Sequence, residues 1–145
     1  MEKTPYNFQI RTMKWVLAWL NSKLVWNKQE RNARFLEESL ELVQSLGMDR
    51  TVAHKLVDYV FSRPVGEPRQ ELGGVMNTLA ILSEVNGLDM YGSAELELTR
   101  CWNDIEKIKE RQKLKPVYFP DLGDLTSPTS NLVGPSGPDF DPLGQ

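Results

Sequence analysis

The stretch RNARFLEESLELVQSLG, residues 31–47, holds three carboxylates within five residues: Glu37, Glu38 and Glu41. Arg31 and Arg34 stand one turn ahead of them. An α-helix turns about 100° per residue, so Arg31, Arg34, Glu41 and Ser45 fall within about 60° of Glu38. Phe35, Leu36, Leu40, Leu42, Val43 and Leu46 fill the adjoining arc. Glu38 and Glu41 then share a ridge at the edge of an apolar face, and Glu37 lies further round toward solvent. One reading is a solvated stripe in which Arg34 pairs with Glu38 at i, i+4. The other reading is chemical. A bare carboxylate beside a core is costly to desolvate, and two of them at i and i+3 can chelate or bridge a hard cation such as Mg²⁺ or Mn²⁺.

A second stretch, EPRQELGGVMNTLA, adds Glu71 in the first turn of another helix, with Arg63 and Arg69 before it. An antiparallel helix pair would bring Glu71 opposite Glu38 and Glu41. Three carboxylates with arginines at the rim is the composition of a metal-assisted phosphoryl or nucleotidyl hydrolysis site. The arginines would neutralise phosphate charge. Gly73 and Gly74 cost helix propensity, about 2 kcal/mol for the pair, which a closely approaching helix or ligand would justify.

These groups need helices to position them, and the apolar periodicity supplies them. Residues 6–24 carry Ile10, Met13, Leu17, Leu20 and Leu24 at helical spacing, with Trp15, Trp19 and Trp26 as a second stripe. Thr4-Pro5 ahead of them reads as an N-cap and a first-turn proline. A second helix is expected over 29–46, ended by Gly47. Asp49 or Thr51 then caps TVAHKLVDYVFSR, which stops before the Pro- and Gly-rich RPVGEP. Further helices are expected from Arg69 to Gly87 and from Ser93 into the basic run KIKERQKLK, whose charge suits a helix C-terminus. The fold class is therefore all-α, a bundle of four to five helices over residues 1–115. Its wide apolar arcs imply partners, most economically further copies of itself. Residues 116–145 hold six of the nine prolines and no apolar period. This irregular tail reads as a disordered linker or as an extended arm using Tyr118, Phe119, Leu122 and Phe140.

Composition removes several function classes. The 145 residues suit one domain, and a formal charge of −3 does not suggest nucleic-acid binding. Four of the 20 acidic residues and none of the 17 basic ones follow Lys115, so the helical part is near neutral. Cys101 is the only cysteine and His54 the only histidine. An internal disulfide is impossible, a Cys/His zinc site lacks ligands, and Cys101 lacks a partner for nucleophilic catalysis. No segment reaches the ~18 apolar residues of a membrane span, and the start does not read as a signal peptide. The expectation is a soluble cytoplasmic protein, in host cytoplasm if viral.

With these residues in place, RFLEESLELVQSLG followed by QELGGVMNTLAILSEVNGLD resembles the MazG-like branch of the all-α nucleoside triphosphate pyrophosphohydrolases. The resemblance spans roughly residues 8 to 113 and is strongest to the phage and proteobacterial subgroup. That family carries E-x-x-E on one helix and E-x-x-D on the next core helix. Here the first half is Glu38-Ser39-Leu40-Glu41 and the second is Glu71-Leu72-Gly73-Gly74, so glycine stands where the family has aspartate. The resemblance implies hydrolysis of a (d)NTP to a (d)NMP and pyrophosphate, in a homodimer or homotetramer with sites near subunit interfaces. It implies Mg²⁺ or Mn²⁺ held by Glu38, Glu41 and Glu71. A metal-bound water, helped by Glu37, would attack the α-phosphorus. Arg34, Arg63 and Lys107 become phosphate contacts, and Asn77, Trp15 and Trp19 become base contacts. Some phages that replace adenine with 2-aminoadenine carry a MazG-like enzyme turning (d)GTP into dGMP. The sequence resembles that type, which makes dGTP or GTP the first choice of substrate. The rivals are a non-catalytic nucleotide-binding or helical interaction protein, and the same reaction on dATP or a damaged nucleotide.

Overall fold

A computed structural model describes residues 5–115. The tail at 116–145 and the Thr4 cap lie outside the described residues. The described residues form seven helices and no strands, which is the expected all-α class: α1 (Pro5–Leu17), α2 (Ser22–Val25), α3 (Lys28–Ser45), α4 (Arg50–Phe61), α5 (Pro68–Val85), α6 (Met90–Asn103) and α7 (Ile105–Leu114). None of these helices is long and apolar enough to cross a membrane. The chain divides into two compact units, one of residues up to 32 together with those from 98 onward, the other of 33–97.

The first unit holds a buried cluster of Val16, Trp19, Leu20, Leu24 and Val25, with Met13, Trp15, Ile105 and Ile108 packed against it. The helix expected over 6–24 is broken after Leu17. Asn21 is the cause at the local level: its side-chain oxygen accepts from the Lys23 amide at 2.9 Å and restarts the chain as α2. Packing gives the reason. In one continuous helix Val16 and Val25 would point to opposite sides, about 180° apart, and the break lets both be buried. Ile10, Leu17 and Trp26, expected on the apolar stripes, are exposed. The last expected helix is likewise divided at Asp104, into α6 and α7. These two divisions turn the five expected helical segments into seven helices among the described residues.

In the second unit the helix ends are well determined. Gly47 adopts φ +91°, and the Met48 amide reaches the Val43 carbonyl at 2.9 Å while the Gly47 amide reaches Gln44 at 3.0 Å. This pair of bonds closes α3, and only glycine takes that backbone angle without strain. Asp49 then caps α4, accepting from the Thr51 amide at 2.7 Å. Glu67 caps α5 by accepting from Gln70 at 2.9 Å, with Pro68 at the first helical position. Asp89 accepts from the amides of Tyr91 and Gly92, which starts α6 at Met90 rather than near Ser93.

The lateral packing of this unit is sparse. No two of α3, α4 and α5 run side by side. Only Ala53 on α4 is even half-buried, and Ser83 is the one buried residue of α5. Phe35, Leu36 and Leu40 on α3 are exposed too. The sequence pattern names apolar faces correctly as faces, but no neighbouring helix of the same unit covers them.

Candidate metal and triphosphate site

Glu37, Glu38 and Glu41 stand on α3, whose first turn is fixed by the Asn27 side chain accepting from the Glu30 amide at 2.9 Å. The helix runs unbroken for 18 residues, so Glu38 and Glu41 do share a ridge one turn apart. Both are exposed. The desolvation cost argued from the sequence therefore does not act on them within one chain, because the apolar residues beside them are themselves open to solvent.

Arg34 pairs with Glu37 at i, i+3. Its side chain is only 14 % exposed, whereas that of Glu37 is 32 % exposed. Glu37, the expected proton acceptor, is thus held by the guanidinium expected to contact phosphate.

Glu71 sits in the first turn of α5 and is exposed. Its carboxylate curls back over the preceding loop: a Cβ on Gly66 would overlap it. The antiparallel pair that would have set Glu71 opposite Glu38 and Glu41 is not formed, and no three acidic, histidine or cysteine side chains among the described residues converge to hold a metal. The space above Gly73 and Gly74 is open, so no neighbour within the chain demands their lack of a side chain. Asn77 lies exposed three residues beyond Gly74. Glu67, just ahead of this helix, is occupied as the α5 cap.

Arg63, just past α4, folds back on its own helix. Its guanidinium lies 5.1 Å from the centroid of the Tyr59 ring and donates to the Tyr59 hydroxyl at 3.2 Å. The remaining candidates belong to the other unit. Lys107 is 78 % exposed and pairs with Asp104 at 3.5 Å. Trp19 is 3 % exposed and forms part of the core, its ring centroid 5.5 Å from that of Trp15 at a 55° tilt. A base-stacking face on Trp19 is therefore already covered by core side chains. The indole N–H groups of Trp15 and Trp19 are both buried without an acceptor among the described residues.

Sequence reasoning passed over Glu30. It is a buried carboxylate, 5 % exposed, with the Arg31 guanidinium at 3.6 Å. The signal was available as adjacent opposite charges at the start of α3, but adjacent residues on a helix do not face each other and so attract no notice.

The donor set of Glu38 and Glu41, oxygen ligands one turn apart and open to solvent, fits a hard divalent cation with several waters retained. Glu71 is within the same unit but turned elsewhere. Comparison with known proteins finds no matching family model, curated protein or solved structure.

Proposed function

We propose that the chain is a metal-dependent nucleotide pyrophosphohydrolase, converting a (d)NTP, first dGTP or GTP, into the (d)NMP and pyrophosphate. One observation carries the reading: the ordered set Glu38-x-x-Glu41 on α3 and Glu71 in the first turn of α5, all three exposed and thus open to a ligand. Glu38 and Glu41 would hold Mg²⁺ or Mn²⁺, with the Glu71 carboxylate as a third ligand once its side chain leaves Gly66. The cation, when bound, neutralises triphosphate charge and lowers the pKa of water. Water attacks the α-phosphorus, a new P–O bond forms to the nucleoside phosphate, and the bond to the bridging oxygen breaks to release pyrophosphate. Glu37 accepts the proton, and Arg34, released from it, contacts phosphate together with Arg63. Asn77 offers a donor and an acceptor to a base edge. The working form is a homodimer or homotetramer.

A second reading has its own support. The uncovered apolar faces of α4 and α5 and the glycine at position 74 suit a helical interaction protein that binds a nucleotide without cleaving it. Incubation with each NTP and dNTP in Mg²⁺ or Mn²⁺, with chromatographic separation of products, decides between them. Monophosphate and pyrophosphate support the enzyme and rank the bases, dATP and damaged nucleotides included. Absence of product from every triphosphate rejects it.

A further inference from the structure

Val52, Leu56, Tyr59 and Val60 on α4, and Leu72 and Met76 on α5, recur at helical spacing and stand between 46 % and 64 % exposed. Their helices are 12 and 18 residues long. Isolated helices of that length are marginal in water and draw their stability from packing of the apolar face. The capped ends at Asp49, Glu67 and Gly87 fix where the helices start and stop, yet nothing in the unit lies along their faces. The faces are built to be covered.

The charges say by what. α4 carries Arg50 and Lys55 against Asp58, and Arg63 follows it. α5 is preceded by Glu67 and carries Glu71 and Glu84 against Arg69. One helix is basic and the other acidic, so the complement of each is present in the same sequence. The spacing agrees: Arg50 to Arg63 and Glu71 to Glu84 both span thirteen residues, about 20 Å at 1.5 Å per residue. An antiparallel pairing that sets Arg50 near Glu84 and Arg63 near Glu71 also sets Val52 near Leu82 and Tyr59 near Val75. The same register leaves Gly74 opposite Val60 and Thr78 opposite Leu56, small residues facing larger apolar ones between two charged ends.

We infer that α4 docks antiparallel on α5 of a second copy of the chain, and that two-fold symmetry repeats the seam with the roles exchanged. This names the surfaces of the oligomer and does not depend on the enzymatic reading.

Sedimentation of the full chain and of two variants, Leu56→Lys and Met76→Glu, tests it. Both side chains are exposed in the single chain, so far-UV circular dichroism should confirm that each variant keeps its helices. The parent should sediment at twice the chain mass or as a larger even assembly, and each variant alone should dissociate at least about tenfold more readily, since it breaks both seams with a buried charge. An equimolar mixture of the two should reassemble, because the mixed dimer keeps one seam native and places lysine near glutamate in the other. Arg50→Glu should weaken assembly and Arg50→Glu with Glu84→Arg should restore it. A parent that is monomeric up to about 100 µM overturns the inference, as does an oligomer indifferent to both variants. Failure of the mixture to reassemble overturns the α4-on-α5 pairing.

Discussion

Arg34 donates to the carboxylate of Glu37, one turn along α3, and the arginine is the more buried of the two. Glu38 and Glu41 lie one turn apart on the same helix and are exposed. In the proposed hydrolase Arg34 exchanges Glu37 for a phosphate oxygen. Arg34→Gln should then raise KM for the triphosphate about tenfold or more, the value of one charge-assisted hydrogen bond, with a smaller change in kcat. Steady-state kinetics on the purified variant measure the split. An unchanged KM would leave Arg34 with a purely structural role.

Glu38→Gln and Glu41→Gln remove a cation ligand without shortening the side chain. Each should lower turnover at least about a hundredfold and leave the far-UV circular dichroism unaltered, since both positions are exposed. Full activity in either variant would show that the ridge is only a charged helix face.

Glu71 rests where a Cβ on Gly66 would be. Gly66→Ala should push the carboxylate off the loop at little cost to stability, under about 1 kcal/mol, because the atom displaced ends a flexible side chain. If departure from Gly66 precedes cation binding, the variant should bind Mn²⁺ a fewfold more tightly. A Mn²⁺ titration followed by electron paramagnetic resonance reads this directly, and weaker binding would mean that the resting position is the binding one.

Trp19 distinguishes core from site. Trp19→Ala should destabilise the protein by about 3–5 kcal/mol, as expected for a buried aromatic, measured by urea denaturation. A variant of parental stability with weakened nucleotide binding would instead return Trp19 to the base contact that the resemblance implied.

Asp49 has its pKa lowered, first by the hydrogen bond from the Thr51 amide and then by that from the Thr51 side chain. A depressed carboxylate stabilises the fold above the unfolded value of 3.8 and loses that contribution as pH falls through its lower folded value. Asp49→Ala should therefore melt below the parent at pH 7 and together with it once the pH is low enough to protonate the folded carboxylate. A melting difference that persists unchanged at pH 2 would place the cap's effect elsewhere than in its charge.

The helix boundaries were the most legible feature because they rest on local chemistry. Gly47, Asp49 and Gly87 end or begin helices through bonds within a few residues, and each acts as its type and position require. The break after Leu17 was hidden because residues 6–24 keep an acceptable helical period throughout. Only the joint burial of Val16 and Val25, a tertiary demand, selects the turn at Asn21. The site was legible as an order of carboxylates along the chain but not as a geometry. Periodicity marks which side of α4 and α5 is apolar, and it is silent on whether the cover comes from the same chain.

The central claim is water attack at the α-phosphorus of a nucleoside triphosphate. Turnover of dGTP with Mn²⁺ in ¹⁸O-labelled water, followed by mass spectrometry of the products, tests it most directly. The expected products are dGMP carrying one ¹⁸O and unlabelled pyrophosphate, with neither formed by Glu38→Gln. Label in pyrophosphate, release of dGDP with labelled phosphate, or no turnover of any triphosphate would contradict it.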